Sequence, residues 1–118
     1  LGVAYCAFAN GGHILRPYIV KEIIDDKGDP VEEYSPKILR TISDKQSLDT
    51  LKVFLKSVVD YGTATATKLD YLTIAGKTGT AEKALKSGGY SKDKYTAVFA
   101  GFFPVDNPEY TIIVALDE

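Results

Sequence analysis

The chain has 118 residues, of which 45% are hydrophobic and 25% are charged, and these values are ordinary for a single globular domain or part of one. The formal net charge of −2 and the lack of a Lys/Arg cluster exclude binding to a nucleic-acid backbone. A single cysteine, Cys6, excludes an internal disulfide and a cysteine-based metal site, and His13 has no second histidine with which to form a metal pair. We therefore expect no metal and no cofactor.

The first third of the chain predicts a helix and a hairpin. Small apolar residues from Leu1 to Asn10 indicate a buried helix that ends at Asn10-Gly11-Gly12, and Cys6 is expected to be a buried, inert thiol within it. His13 is expected in the loop that follows. The apolar runs Tyr18–Ile24 and Val31–Tyr34 flank a polar turn segment, which is typical of a solvated β-hairpin.

An amphipathic helix is predicted in the middle of the chain. Ser43 and Gln46 have the spacing of a capping box, which marks its start. Apolar residues then recur at helical spacing: Leu48, Leu51, Phe54, Leu55, Val58 and Val59. The helix is expected to end at Tyr61-Gly62, and the small, β-branched segment 63–67 is not expected to extend it.

Strands are predicted in the last third. One runs from Tyr71 to Thr80 and carries Lys77 among its last residues. Residues 82–94 are polar and without periodicity, so we expect a long functional or mobile connection there. Ala97–Phe103 and Tyr110–Leu116 are continuously apolar, which favours strands covered on both faces, and the short link between them makes the pair antiparallel. The pattern predicts an α+β fold in which helices pack on an antiparallel sheet.

The segment Ala75-Gly76-Lys77-Thr78-Gly79-Thr80-Ala81 carries the most informative chemistry. Strand interiors avoid glycine unless a ligand or another backbone comes close, so its two glycines predict an edge strand against which a polar or anionic ligand lies. The alternative is a strand that runs out into a Gly/Thr turn. Strand alternation predicts Thr78 and Thr80 on one face and Lys77 on the other, with the lysine reaching the site from beneath rather than beside the hydroxyls.

Other catalytic patterns are excluded. A serine–histidine–carboxylate triad would have to use His13, whose surroundings indicate no constrained base. Gly76-Lys77-Thr78 lacks the upstream glycine of a phosphate-binding loop. The paired acidic residues 25–26 and 32–33 belong to the hairpin and indicate a solvated rim.

Four segments in the same order along the chain resemble the transpeptidase domain of class B penicillin-binding proteins, of the division or sporulation type. The first contains Ala4-Tyr5, Phe8-Ala9-Asn10-Gly11-Gly12 and Arg16-Pro17, and the second contains Val59 and Gly62-Thr63-Ala64. The third is Ala75–Ala81 with its Lys-Thr-Gly-Thr sequence, and the fourth contains Phe99–Pro104, Asp106-Asn107-Pro108 and Tyr110. The resemblance covers nearly the whole chain. It implies a partial penicillin-binding-protein/serine β-lactamase-like transpeptidase fold.

The resemblance implies a role for each residue of Lys77-Thr78-Gly79-Thr80. The Thr78 and Thr80 hydroxyls would hold the carboxylate of a D-Ala-D-Ala stem peptide or of a β-lactam, and Gly79 would let the substrate backbone lie against the strand. The Thr80 backbone N–H would be one of two oxyanion donors, and Lys77 would hydrogen-bond the serine of the family's second motif. The implied reaction is peptidoglycan cross-linking by serine acyl transfer.

The family's nucleophile lies in a Ser-x-x-Lys motif upstream of Lys-Thr-Gly. Here the only Ser-x-x-Lys is Ser91-Lys92-Asp93-Lys94, which follows Lys77 and is interpreted as a solvated loop, and no Ser-x-Asn occurs. The resemblance therefore implies that 1–118 is the C-terminal portion of a single transpeptidase domain, inactive alone because the nucleophile-bearing portion is absent. Its partners would be the rest of that domain, the stem peptide and β-lactams, and the parent protein would be anchored at the outer face of the bacterial cytoplasmic membrane.

The absence of a strand that pairs with the last one in the family leaves the apolar edge Ile112-Ile113-Val114 bare, which predicts self-association through exposed strand edges. The residues leave open two alternatives to a transpeptidase. One is a non-catalytic penicillin-recognising sensor or a scaffold that acts through the 18–34 hairpin. The other is a serine β-lactamase fragment, against which the Phe102-Phe103-Pro104 and Asn107-Pro108 region argues.

Overall fold

Two helices cover one face of a three-stranded antiparallel sheet, and two smaller pairs of strands lie outside this core. The computed structural model describes residues 1–42, 44–86 and 88–117. The elements in chain order are helix α1 Gly2–Ala9, strands β1 His13–Leu15, β2 Glu22–Ile24, β3 Pro30–Glu33 and β4 Ile38–Thr41, helix α2 Lys45–Tyr61, a 3₁₀ turn Thr65–Thr67, and strands β5 Ala75–Ala84, β6 Tyr90–Phe103 and β7 Tyr110–Asp117. This arrangement confirms the α+β prediction. In the described part of the chain, neither helix has the length and apolarity that a membrane span requires.

The main sheet has the strand order β5-β6-β7, and both pairs are antiparallel. Residues directly opposite one another share a face, so Ala75 and Phe102 lie on one face, which packs against the helices. Phe102 is fully buried there and belongs to the cluster that contains Tyr5 of α1 and Leu55 of α2. The other face of the sheet therefore points away from the helices. It carries Phe99 and those side chains of β7 that lie on the same face as Phe99.

The expectation that β7 is covered on both faces is wrong. Ile112, Ile113 and Val114 are 39%, 37% and 42% exposed, because β7 forms an edge of the sheet and α1 covers only part of one face. Among the described residues β7 pairs only with β6. Self-association through this edge stays a prediction.

Two strand boundaries also differ from those predicted. β5 begins at Ala75 rather than Tyr71, so Lys77 lies near its start and not at its end. The segment 82–94 is not a long loop, because the β5–β6 ladder continues to the pair Ala84 and Tyr90. Gly88 and Gly89 adopt φ of 90° and 79°, the left-handed conformation that permits the tight reversal between the strands.

The small strand pairs lie between α1 and α2 in sequence. The predicted hairpin is confirmed as β2 and β3, although its strands are shorter than expected, and every residue in them is exposed. Pairing of β1 with β4 was not predicted, since strands of three and four residues carry little periodicity. His13 therefore starts a strand instead of lying in a loop, and its Nδ1 is 3.1 Å from Thr41 Oγ1.

The burial predicted for Cys6 is wrong, since this residue is exposed. α1 directs Tyr5 and Ala7 into the core. Each residue is rotated by about 100° around a helix, and Cys6, between these two, faces away from the sheet.

The start of α2 is capped by Asp44. Asp44 Oδ1 accepts a hydrogen bond from the Ser47 backbone N–H at 2.9 Å, and Oδ2 accepts one from the Ser47 hydroxyl at 2.9 Å. Ser43, the predicted capping residue, lies outside the described residues. The end of the helix at Tyr61, with Gly62 as its C-cap, is as predicted, and Leu48, Leu55 and Val59 are its buried residues.

We expect Asp44→Ala to lower the urea midpoint of unfolding at pH 7. The hydrogen bonds from the Ser47 N–H and hydroxyl favour the charged carboxylate and lower the pKa of Asp44 below its ordinary value of 3.8. Because the folded pKa is depressed, this stabilisation is present above about pH 3.8 and is lost as the pH falls through the folded value. The difference between wild type and Asp44→Ala should therefore shrink below pH 3.8. Asp44→Asn keeps a capping oxygen but has no titrating charge, so its urea midpoint should differ from that of Asp44→Ala by an amount that does not depend on this titration. If that difference also shrank below pH 3.8, the pH dependence could not be assigned to the Asp44 carboxylate.

Candidate active site

The Lys77–Thr80 segment lies in the first half of β5, which forms the second edge of the main sheet. Lys77, Gly79 and Thr80 are exposed and Thr78 is half-buried. The edge position agrees with the prediction made from the two glycines. It leaves the polar atoms on the outer side of β5 open to an approaching ligand.

Gly76 and Gly79 have different surroundings on the same strand. A Cβ at Gly76 would lie 2.5 Å from Phe99 Cζ and 2.7 Å from the Ala100 carbonyl oxygen, so this glycine is required by close packing against β6. A Cβ at Gly79 would have no heavy atom of the described residues within 4 Å. Gly76 therefore serves the fold, whereas Gly79 keeps one side of β5 free.

We expect Gly76→Ala to destabilise the fold by about 1–3 kcal/mol, the usual cost of overpacking, because a backbone carbonyl would have to move. Gly79→Ala is the matched control, and its effect on stability should stay within about 0.5 kcal/mol because the site is open. Urea unfolding of the two variants checks this pair. Equal losses would mean that β5 and β6 do not approach as closely as the structure places them.

A cluster of two hydroxyls and one ammonium lies at this edge, formed by Thr63, Lys77 and Thr78. The Thr63 and Thr78 Oγ1 atoms are 2.7 Å apart. Lys77 Nζ is 2.6 Å from the Thr78 carbonyl oxygen, 3.3 Å from Thr78 Oγ1 and 3.4 Å from Thr63 Oγ1. We call these three side chains the Thr63–Lys77–Thr78 cluster.

The predicted position of the lysine, beneath the strand and away from the hydroxyls, is therefore wrong. Lys77 starts from the helix-covered face, opposite Ala100, as alternation requires. Its flexible four-carbon stem then bends around the open edge of β5, where the Thr78 carbonyl accepts a hydrogen bond from the ammonium. The ammonium consequently lies beside the Thr78 hydroxyl.

Thr63 was not among the predicted site residues. It directly follows Gly62, the C-cap of α2, and the helix end brings it to β5 across a sequence separation of 15 residues. The sequence places Gly62-Thr63 in one of the segments that resemble the family. Its contact with Thr78 depends on how α2 packs on β5, which periodicity does not reveal.

The cluster carries positive charge without a carboxylate partner among the described residues. The ion pairs found in residues 1–42, 44–86 and 88–117 join Lys21 to Glu22, Lys45 to Asp49, Lys56 to Asp60 and Lys83 to Asp117, and none includes Lys77. Within the same ranges no group of three or more metal-binding side chains converges. An ammonium beside hydroxyl donors on an open strand edge is suited to bind an anion such as a carboxylate.

A shallow depression of about 240 Å³ adjoins the site on the face of the sheet away from the helices. Its lining includes Thr78 and Thr80 together with the apolar side chains of Phe99, Val114 and Leu116. A larger depression of about 330 Å³ lies between the end of α2 and residues 68–74 and contains none of the Lys77–Thr80 segment. The polar edge thus borders an apolar surface, and a ligand with both characters would contact both.

Comparison with known proteins assigns the family. The chain matches the family model of the penicillin binding protein transpeptidase domain over residues 3–118. This chain belongs to that family. It is 35% identical over its whole length to a peptidoglycan D,D-transpeptidase FtsI homolog of Mesostigma viride, and it covers 22% of that protein. It is also 35% identical, over 97% of its length, to stage V sporulation protein D of Bacillus subtilis, and it covers 18% of that protein.

Solved structures agree with this assignment. The fold superimposes on penicillin binding protein 3 of Mycobacterium tuberculosis with a TM-score of 0.87 and 34% identity, covering 98% of this chain and 27% of that one. The same protein has been solved in complex with aztreonam and with ampicillin. The resemblance and the transpeptidase fold predicted from the sequence are therefore confirmed. The chain spans about a fifth of the length of the two curated relatives named above.

Ser91 lies in β6 and not in a loop as expected, because the β5–β6 ladder extends past it. Its Oγ accepts hydrogen bonds from the backbone N–H groups of Asp93 at 3.3 Å and Lys94 at 3.2 Å. Lys77 pairs with Ala100, nine residues further along β6 (100 − 91). At ~3.3 Å per residue, Ser91 is roughly 30 Å from the cluster along the sheet. The Ser-x-x-Lys match at 91–94 therefore lies far from the Thr63–Lys77–Thr78 cluster.

Proposed function

We propose that this chain is the C-terminal portion of a peptidoglycan D,D-transpeptidase that cross-links stem peptides by serine acyl transfer and binds β-lactams. Support comes from the similarity to a peptidoglycan D,D-transpeptidase FtsI homolog of Mesostigma viride, of which the chain spans 22%. The observation that carries the proposal is the Thr63–Lys77–Thr78 cluster on the open edge of β5, with an unobstructed glycine next to it. In this proposal residues 1–118 supply the Lys-Thr-Gly-Thr strand and the remainder of the domain supplies the nucleophile.

The substrate would bind along the outer side of β5. Its terminal carboxylate would accept hydrogen bonds from the Thr78 and Thr80 hydroxyls while the Lys77 ammonium stabilises the negative charge. Gly79 would let the peptide backbone approach, since a side chain there would occupy the open space beside the strand. The Thr80 N–H would donate to the oxyanion of the tetrahedral intermediate, a contact that contributes mainly in the transition state.

The reaction would take place in two acyl transfers. A serine hydroxyl of the remaining part of the domain would attack the D-Ala-D-Ala carbonyl, forming an ester and releasing D-alanine. The amine of a second stem peptide would then attack that ester, forming the cross-link and regenerating the serine. Lys77, hydrogen-bonded to a second-motif serine, would supply positive charge near the proton-transfer groups. A β-lactam would follow the first step, with its ring opened by the serine.

The setting of the protein is part of the proposal. Peptidoglycan lies outside the cytoplasmic membrane, so the complete protein would act on the outer face of that membrane and would be held there by an anchor elsewhere in its sequence. Its partners would be the stem peptide and the rest of its own transpeptidase domain.

A burst experiment with a chromogenic cephalosporin tests the proposed function. We expect the complete protein to open about one equivalent of the cephalosporin and to retain it as an ester, because acylation consumes one serine per site. The 118-residue chain alone should give no burst. Ser91→Ala in the complete protein should leave the burst unchanged.

A burst from the isolated chain that Ser91→Ala abolishes would overturn the division of the site between two parts. A burst without cross-linking of stem peptides in the complete protein would favour a penicillin-recognising sensor over an enzyme.

A further inference from the structure

We propose that Thr63 is a positioning residue of the anion site, whose hydroxyl directs the proton of the Thr78 hydroxyl toward the carboxylate of the ligand. This inference rests on the proposed function and extends the site to a residue 12 positions before the Ala75–Ala81 motif (75 − 63). It follows from the geometry of the Thr63–Lys77–Thr78 cluster and from the number of protons that its members can donate.

The position of Thr63 is fixed by the end of α2. The Ala64 N–H donates to the Val58 carbonyl at 3.1 Å, and the Thr65 N–H donates to the Gly62 carbonyl at 3.3 Å. Ala64 is 1% exposed, so its side chain is held in the core. Thr63 is exposed between these anchored neighbours, with its hydroxyl 2.7 Å from that of Thr78. The helix end therefore presents this hydroxyl to β5 as a fixed group.

The protons available in the cluster determine the direction of each hydrogen bond when an anion binds. An ammonium has three donors and no acceptor, and each threonine hydroxyl has one donor and two acceptor lone pairs. A carboxylate only accepts, so Thr78 must give it its single proton. The Thr63–Thr78 bond then requires Thr63 to donate and Thr78 to accept. Thr63 still has a lone pair for the Lys77 ammonium, which lies 3.4 Å away.

The result is a chain of donors in one direction: Lys77 Nζ to Thr63 Oγ1, Thr63 Oγ1 to Thr78 Oγ1, and Thr78 Oγ1 to the ligand. Successive hydrogen bonds of this kind polarise one another, so the positive charge of Lys77 would strengthen the final bond to the carboxylate. Lys77 Nζ also lies 3.3 Å from Thr78 Oγ1, so loss of the Thr63 hydroxyl would leave Thr78 with this one donor and without the closer one at 2.7 Å. Thr63 would thus favour ligands that carry an anion at this point.

Thr63→Val and Thr63→Ser in the complete protein test this role, since valine removes the hydroxyl and serine retains it. Thr67→Val is the matched control: Thr67 Oγ1 donates to the Ala64 carbonyl at 2.7 Å in the adjacent turn, and this hydrogen bond involves neither Lys77 nor Thr78. The measurement is the second-order acylation rate constant for ampicillin and for its methyl ester, which lacks the carboxylate. We expect Thr63→Val to lower the ampicillin-to-ester ratio by roughly three- to ten-fold, the effect of one hydrogen bond, and Thr63→Ser and Thr67→Val to leave it unchanged.

A second measurement makes the test independent of acylation. Acetate is titrated into the protein labelled with ¹⁵N-glycine, and its dissociation constant is taken from the shift of the Gly79 amide signal. Thr63→Val should weaken acetate binding by a similar factor, while Thr63→Ser retains it. If wild type is not acylated, the proposed function fails and the acetate constants alone decide the role of Thr63. Equal losses for ampicillin and its ester, or acetate constants that Thr63→Val leaves unchanged, would overturn the inference.

Discussion

Replacing Lys77 by methionine should lower the second-order rate constant for acylation of the complete protein by about 100-fold or more, the scale on which a preorganised electrostatic group acts. Methionine keeps the length of the side chain and removes the charge. Lys77 is exposed, and in the described residues no carboxylate neutralises it, so its charge is available to an anionic ligand and to the developing charge of the reaction. The melting temperature should hardly change.

Lys83→Met is the matched control for this prediction. Lys83 lies on the same strand, and its ammonium is 3.0 Å from Asp117 of β7, at the end of the sheet remote from the cluster. Its loss removes a charge of the same sign from β5 without affecting the site. If both variants were acylated at the same reduced rate, the net positive charge of the strand, and not the position of Lys77, would be responsible.

Phe102→Ala should destabilise the fold by about 3–5 kcal/mol, the usual cost of removing a buried aromatic ring. Phe102 is fully buried on the central strand, at the point where the sheet meets Tyr5 of α1 and Leu55 of α2. A cavity at this point would weaken the contacts that hold both helices to the sheet. Denaturant unfolding monitored by circular dichroism measures the change, and Phe102→Leu, with a smaller expected loss, serves if the alanine variant does not fold.

Phe54→Ala provides the comparison for Phe102. Phe54 lies on α2 and is 64% exposed, so its removal creates no cavity and should cost less than about 1 kcal/mol. Comparable losses at the two positions would mean that the face of α2 toward the sheet has been assigned incorrectly.

The sequence predicts most of the elements because their signals are local. The apolar repeat that includes Leu48, Leu55 and Val59 predicted α2 and its end at Gly62, and the apolar run to Phe103 predicted the central strand. The prediction of a long connection at 82–94 is wrong because the structure of this segment depends on a non-local contact. Its residues have little intrinsic preference for strands, and the ladder that orders them comes from pairing between β5 and β6, a contact that local composition does not record.

The site was predicted in part. Glycines and hydroxyls in one strand are chemically unusual, and this pattern predicts a site at Lys77, Thr78, Gly79 and Thr80. The structure places these residues together on an open edge. Thr63 could not be selected in this way, since a threonine after a helix is common. Only the packing of α2 on β5 brings its hydroxyl to 2.7 Å from Thr78. The position of the Lys77 ammonium likewise depends on its hydrogen bond to the Thr78 carbonyl at the strand edge, and strand alternation does not predict it.

The hairpin of β2 and β3 has a consequence for how the sequence can diverge. Its residues are all exposed, its principal contacts are between its own strands, and its backbone contributes nothing to the sheet that carries the Thr63–Lys77–Thr78 cluster. Exposed segments of this kind tolerate insertion and replacement because little buried surface depends on them. In the described part of the chain, the hairpin is therefore where related sequences can change length and character while the chemistry of the Thr63–Lys77–Thr78 cluster is preserved.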